Sequence, residues 1–168
     1  MGISTVKKKS ALSGKRLTLR SSGRADLPFI LDSFLQRIDP VTSKEQRQEP
    51  LHALRLRGKR LRYVMEMYVP AYNSPFIDCL DSVKEILGIL GRIHDLDINI
   101  PVLRQHVRQV RHFNAGINDR ALNMPTERLR TIIQQFEKER HDQFLILCDR
   151  FLQWKQEEFR QRFLQSIQ

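Results

Sequence analysis

Between Leu51 and Glu66 the chain sets His52, Arg55, Lys59, Arg62 and Glu66 at steps of three and four residues. At about 100° and 1.5 Å per residue, such steps draw one row along a helix, with a side chain every 5.4 Å or so. A second row runs beside it: Leu51, Leu54, Gly58, Leu61, Met65 and Tyr68, spaced 3-4-3-4-3, the pattern of a core-facing stripe. The basic row therefore lies at the edge of the buried face, while Arg57 and Arg60 point further round towards solvent. No acid stands among these cations, and like charges at such spacings repel each other modestly. A negative chain laid along the row would relieve that repulsion. So would a solvated face neutralised by acids from neighbouring helices, and spacing alone does not separate the two.

Two further stretches bear on the row. From Phe76 onwards, Phe76, Leu80, Val83, Leu87 and Leu90 make an apolar stripe, adjoined by Ile77, Asp81, Lys84, Gly88, Gly91 and Asp95. Gly88 and Gly91 bare the backbone at roughly 1 kcal/mol each relative to alanine. That allows close helix packing or close approach of a ligand, with Lys84 one turn before it. Near the C-terminus Phe136, Arg140 and Phe144 share a stripe continued by Leu147 and Phe151. An arginine there meets a carboxylate, reaches a ligand, or packs its stem while its head stays wet. His94-Asp95 with Asp97 has the look of a metal or phosphohydrolase motif. The other histidines, His52, His106, His112 and His141, supply no matching ligand spacing. Asp95 and Asp97 are expected instead to pair with the arginines of the basic helix. There is no G-x-S-x-G, no phosphate-binding glycine loop and no dinucleotide fingerprint. Neither cysteine has a base near it in sequence, and both are expected as buried thiols. No catalytic set, metal site or cofactor is expected.

The elements that must hold these residues read as helices throughout. Asp26-Leu27-Pro28 has the form of a helix start, and Leu27, Leu31, Phe34 and Ile38 recur at 4-3-4 before Pro40. A polar loop from Asp39 to Gln48 leads to a second helix between Pro50 and Pro70. Ser74-Pro75 launches a third to about Asp97, and Pro101 kinks it or starts a fourth through Phe113. Asn114 to Pro125 reads as a loop. From Thr126 on there is neither Gly nor Pro, so one very long helix or two stacked ones are expected. The fold class is all-α, an antiparallel helical bundle with a long C-terminal helix.

Composition sets the outer bounds. A chain of 168 residues with 40% hydrophobic side chains can bury a real core, and seven each of Gly and Pro exclude low-complexity classes. The longest run without a charge is eleven residues, Met67 to Ile77, and holds two prolines; a membrane span needs roughly 20 apolar residues. The protein is expected to be soluble. Cys79 and Cys148 stand apart, which argues against a disulfide scaffold and for a reducing, cytoplasmic setting. The formal charge is +10, from 29 Lys and Arg against 19 Asp and Glu. Seven cations lie within residues 1–24 without an acid, and five more between Glu49 and Glu66, so these two zones carry the whole imbalance. Residues 1–24 read as a flexible basic arm and 25–168 as the helical domain. Val6 stands where a myristoylation signal wants Ser or Thr. A polyanionic partner is the first idea the charge raises.

The segment Leu51-His-Ala-Leu-Arg-Leu-Arg-Gly-Lys-Arg-Leu-Arg-Tyr63, followed by Glu66, resembles the signature of CHAD domains (conserved histidine α-helical domains). Lys84-Glu-Ile-Leu-Gly-Ile-Leu-Gly91 with Ile93-His-Asp-Leu-Asp97 resembles their second characteristic stretch. The likeness is dense over residues 50–100 and thinner on either side. It implies a non-enzymatic helical bundle that binds inorganic polyphosphate through a basic surface, often beside triphosphate-processing domains or on polyphosphate granules. The family's basic positions fall on His52, Arg55, Lys59 and Arg62, with Lys84 from the next helix. The resemblance also implies Arg140, by its place in the C-terminal helix; Arg104 and Arg108 would extend the basic set, and a solvated face explains them equally well.

Many CHAD domains are longer, with two related halves, whereas the His-x-x-Arg motif occurs here once. The second side of a channel would then come from dimerisation or from the helix of Arg140. Polyphosphate has no base edges and no aromatic faces, so forked Arg donors and Lys point charges suit it. His52 adds a dependence on pH, because only the protonated ring donates from both nitrogens. Two alternatives stand beside this reading. A nucleic-acid module would use the same helix on phosphates, although aromatics are only 8% and recur at core spacing. A structural scaffold would leave the row neutralised by acids.

Overall fold

A computed structural model describes residues 18–42, 48–117 and 123–168. The described residues form α1 (Leu19–Leu35), α2 (Ile38–Thr42), α3 (Gln48–Tyr68), a 3-10 turn (Val69–Ala71), α4 (Ser74–Ala115), α5 (Glu127–Gln156) and α6 (Phe159–Ser166), with no strand among them. The fold is an all-α helical bundle in which α4 is the spine: α3, α5 and α6 all pack on it, and α1 packs on α3.

The apolar spacing decides which faces are buried. In α3 the buried residues are Leu51, Leu54, Gly58, Leu61, Met65 and Tyr68, the whole predicted stripe. They meet Leu27, Leu31 and Phe34 of α1 and Phe76, Leu80, Val83, Leu87 and Leu90 of α4 in one continuous core. Phe144, Leu147, Phe151 and Trp154 of α5 and Phe159 and Phe163 of α6 close it from the other side. A second, smaller cluster lies further along α4 and α5, formed by Leu96, Ile100, Val107 and Ile133 with Leu103, Leu129 and Phe136 against them. There α4 and α5 run on together as a two-helix arm.

The first helix begins at Leu19, earlier than the expected start near Asp26, and runs across Pro28. Thr18 caps it by accepting from the Ser21 amide at 3.1 Å. Its first turns are pinned from outside. Tyr72 Oη donates to the Arg20 carbonyl at 3.0 Å, and Arg24 Nε donates to the Ile167 carbonyl at 2.8 Å. A Cβ on Gly23 would fall 2.6 Å from Tyr72 Oη, so glycine is what admits the tyrosine. Residues 19–24, read from sequence as arm, are thus helix; the rest of that arm, residues 1–17, lies outside the described residues. Ile38 opens α2 after a break at Gln36–Arg37 and does not extend α1.

Pro101 neither ends nor restarts a helix: α4 is continuous from Ser74 to Ala115. Buried Leu96 and Ile100 before the proline and Val107 after it hold both sides to α5. At the C-terminal end the two-helix expectation holds. The chain breaks at Glu157–Glu158, where Glu158 takes a left-handed φ of 51°, and Trp154 stacks on Phe159 with centroids 3.8 Å apart. Arg160 Nε and Nη2 then tie α6 to Asp32 of α1 at 2.7 and 2.9 Å. Cys79 is buried and Cys148 half-buried, both as free thiols, and burial pushes both thiol pKa values up. Among the described residues no helix is long and apolar enough to cross a membrane.

Candidate functional site

Two contacts fix how α3 and α4 lie side by side. Gly58 seats against Leu87, whose Cδ2 would be 2.9 Å from an added Cβ, and the rings of His52 and His94 lie 5.2 Å apart. The helices are therefore antiparallel. Counting from these contacts, Arg55 is level with Gly91, Lys59 with Leu87 and the adjoining Gly88, and Arg62 with Lys84. Turning about 100° per residue from the shared contact, the basic row of α3 and the Lys84–Gly88–Gly91–Asp95 row of α4 come round to the same side of the pair. His52, Arg55, Lys59, Arg62 and Lys84 thus share one face.

Gly88 and Gly91 are not there for helix packing. A Cβ at either position meets no heavy atom within 4 Å. The two glycines leave an open strip of α4 backbone beside Arg55 and Lys59.

The charges on this face differ in what balances them. Arg62 Nε lies 3.6 Å from Glu66 Oε1, its guanidinium lies 4.6 Å from the Tyr63 ring centroid, and its buried Nε has no hydrogen-bond partner. Lys84 Nζ pairs with Asp81 one turn back at 3.0 Å, on the exposed surface. Arg55 and Lys59, half-buried at the centre of the row, have no carboxylate partner among the described residues. Four acids of neighbouring helices are engaged elsewhere, Glu85 with Arg150, Glu139 with Arg92, Glu137 with Arg104 and Asp32 with Arg160, while Asp95 stands at the far end of the α4 row on this same side. The Arg92 guanidinium holds the Glu139 carboxyl below its ordinary range, chiefly by hydrogen bonding.

The acids expected to orient the basic helix are placed differently. Asp97 pairs with Arg140 of α5, and their side chains are only 8% and 15% exposed. Asp95 is exposed and has no ion pair among the described residues. Arg140 is thus brought towards α4 rather than into the α3 row, with its charge answered by Asp97. His94 was legible as a candidate only through the phosphohydrolase-like motif. Its place seven residues after Leu87, on the stripe that meets α3, is the signal that it would face α3, where it meets His52. Among the described residues no three His, Cys, Asp or Glu side chains converge on a point where a metal ion would sit.

The described residues form an all-α helical bundle with the α3 row along one side of the α3–α4 pair. A family model described as the CHAD domain matches residues 15–104, just over half of the chain. The chain belongs to the CHAD domain family. The match takes in α1, α3 and the α4 strip, and it stops within the arm. Comparison with curated proteins and with solved structures gives no significant match.

Proposed function

We propose that this protein binds inorganic polyphosphate along the α3–α4 face and does not turn it over. One observation carries the reading: Arg55 and Lys59 stand half-buried, without a carboxylate partner among the described residues, beside the bare backbone of Gly88 and Gly91. A phosphate chain can come close at this point, where no side chain of α4 stands in the way. Arg55 offers forked donors, Lys59 a point charge, and His52 and Arg62 continue the row to about 15 Å in all. Lys84 contributes from the rim, sharing its charge with Asp81. Arg140, paired with Asp97 between α4 and α5, takes a supporting part in this reading. Membership of the CHAD family favours this ligand.

A nucleic-acid backbone would be held by the same cations. The aromatic ring best placed to stack on a base is Tyr63, and Arg62 already covers it at 4.6 Å. The test is a titration with long-chain polyphosphate against single- and double-stranded DNA and RNA at one salt concentration, with Arg55→Glu, Lys59→Glu alongside. Circular dichroism checks that the variant stays folded. Reversing two charges should weaken polyphosphate binding by about a hundredfold or more, with no release of phosphate on incubation of the parent protein. Equal affinity for every polyanion would reduce the face to a general basic surface. No polyphosphate binding near physiological salt would leave a helical scaffold and end the proposal.

A further inference from the structure

The outer part of α4 is a second basic zone that the family match does not reach beyond Arg104. From Ile98 to Ile117 the chain carries Arg104, Arg108 and Arg111 and no acid. Arg104 is answered by Glu137 of α5 at 2.6 Å. Arg108 and Arg111, one and two turns further out, are exposed and have no ion pair.

The Arg104–Glu137 pair and the hydrogen bonds between the Asn114 side chain and the Met124 backbone, both 2.9 Å, set the antiparallel register of the arm. That register brings the turn of Arg111 level with Arg128 and Arg130. Arg130 lies two turns before Glu137, so it projects from the same side of α5 as that glutamate. Arg104, Arg108 and Arg111 follow at steps of four and three, so they keep to the Glu137 side of α4. Arg108, Arg111 and Arg130 therefore gather on one side of the arm tip, all exposed and none with a carboxylate partner among the described residues. Glu127, the nearest acid along that helix, lies one turn before Arg130 and about 60° round from it, and makes no ion pair with it.

The position of this cluster relative to the α3 row is fixed by α4 itself. His94, in contact with His52 at the end of the row, and Arg108 are fourteen residues apart on one unbroken helix. Fourteen residues are close to four turns, so the two project from nearly the same side, about 21 Å apart along the axis. We infer that the arm tip is a second anchoring point for a long polyphosphate chain, which leaves the α3 row at His52, follows α4 past His94 and is held again by Arg108, Arg111 and Arg130. This rests on the α3–α4 reading above and adds a chain-length dependence to it. An oligophosphate short enough to lie on the row gains nothing from the arm. A chain long enough to span both, about 36 Å or more, gains a second contact at high effective concentration.

The experiment compares tripolyphosphate and long-chain polyphosphate on three folded proteins: the parent, Arg108→Gln, Arg111→Gln, Arg130→Gln, and Arg55→Glu, Lys59→Glu. The arm variant should bind tripolyphosphate as the parent does and lose at least about tenfold in long-chain affinity. Its log–log salt slope should flatten by about two, the share of three phosphate contacts. Unchanged long-chain affinity and slope would overturn the inference. So would an equal loss for both ligands, because the arm would then be acting on the row and not beyond it. If the row variant keeps full affinity while the arm variant loses it, the α3–α4 reading fails and the arm stands as the site. If the parent binds neither ligand, both fall.

Discussion

Replacing Gly88 and Gly91 with alanine should make the protein more stable and a poorer binder of polyanions. Both glycines lie inside a continuous helix, and an added Cβ at either meets nothing within 4 Å. Glycine in a helix interior costs about 0.5–1 kcal/mol relative to alanine, so the pair should gain roughly 1–2 kcal/mol. For a chain of this size that is a rise in Tm of about 2–8 °C. Gly58→Ala is the contrasting control. Its Cβ would come within 2.9 Å of Leu87 Cδ2 and 3.0 Å of Phe34 Cε2 in the main core, and crowding there should cost about 1–2 kcal/mol net. Thermal unfolding by circular dichroism reads stability, and a polyphosphate titration on the same samples reads affinity. Longer side chains at 88 and 91, such as leucine, should weaken binding further by covering the strip beside Arg55 and Lys59. A fall in Tm for Gly88→Ala, Gly91→Ala would show that the strip is packed and refute the geometry. Undiminished affinity with leucine at both positions would refute the idea that the bare backbone serves the ligand.

Arg140→Ala should cost about 3 kcal/mol in a urea titration, because it strands Asp97, which is nearly buried. Adding Asp97→Ala should restore part of that loss; a single variant as stable as the parent would mean that the pair contributes nothing. Asp32 and Glu139 are held below their ordinary values of 3.8 and 4.5, each chiefly by a hydrogen bond from an arginine. A lowered carboxyl pKa stabilises the fold above the unfolded value and loses that contribution as pH drops towards the folded one. Arg160→Gln and Arg92→Gln should therefore be less stable than the parent at neutral pH, with the gap closing below about pH 4. A gap that stays constant down to pH 2 would assign the effect to packing.

The rows of α3 were legible because a helix that buries one face must repeat its apolar residues at three and four, and α3 does so without exception from Leu51 to Tyr68. The same spacing located the core side of α4 and, next to it, the strip of Lys84, Gly88 and Gly91. The start of α1 was not legible. Ser21, Ser22 and Gly23 look like loop residues locally, and what makes them helical is Tyr72, about fifty residues away, packed against Gly23. Pro101 read as a kink or a new start because a proline removes a helical hydrogen bond, whereas contacts of Leu96, Ile100 and Val107 with α5 keep one continuous helix. The partner of Asp97 was hidden for a different reason. Spacing along one helix says which side a residue takes, but it carries no register between helices. Only the assembled bundle sets Asp97 against Arg140 and His94 against His52.

The 42 residues of α4 are covalently one helix but are not one unit of stability. Its first half is locked into the large core, while its outer part shares only the small cluster around Leu96, Ile100, Val107 and Ile133. Segments with few buried contacts open locally at a lower free energy than the global transition. Backbone amides of residues 103–115 and 128–136 should therefore exchange with deuterium well ahead of those at 79–93, with the helix fraying inward from its tip. The arm would open and close many times during the life of the folded body. A polyanion clasped at Arg108, Arg111 and Arg130 would hold it shut and slow that exchange, so protection of the arm amides reports occupancy far from the row where the chain first binds.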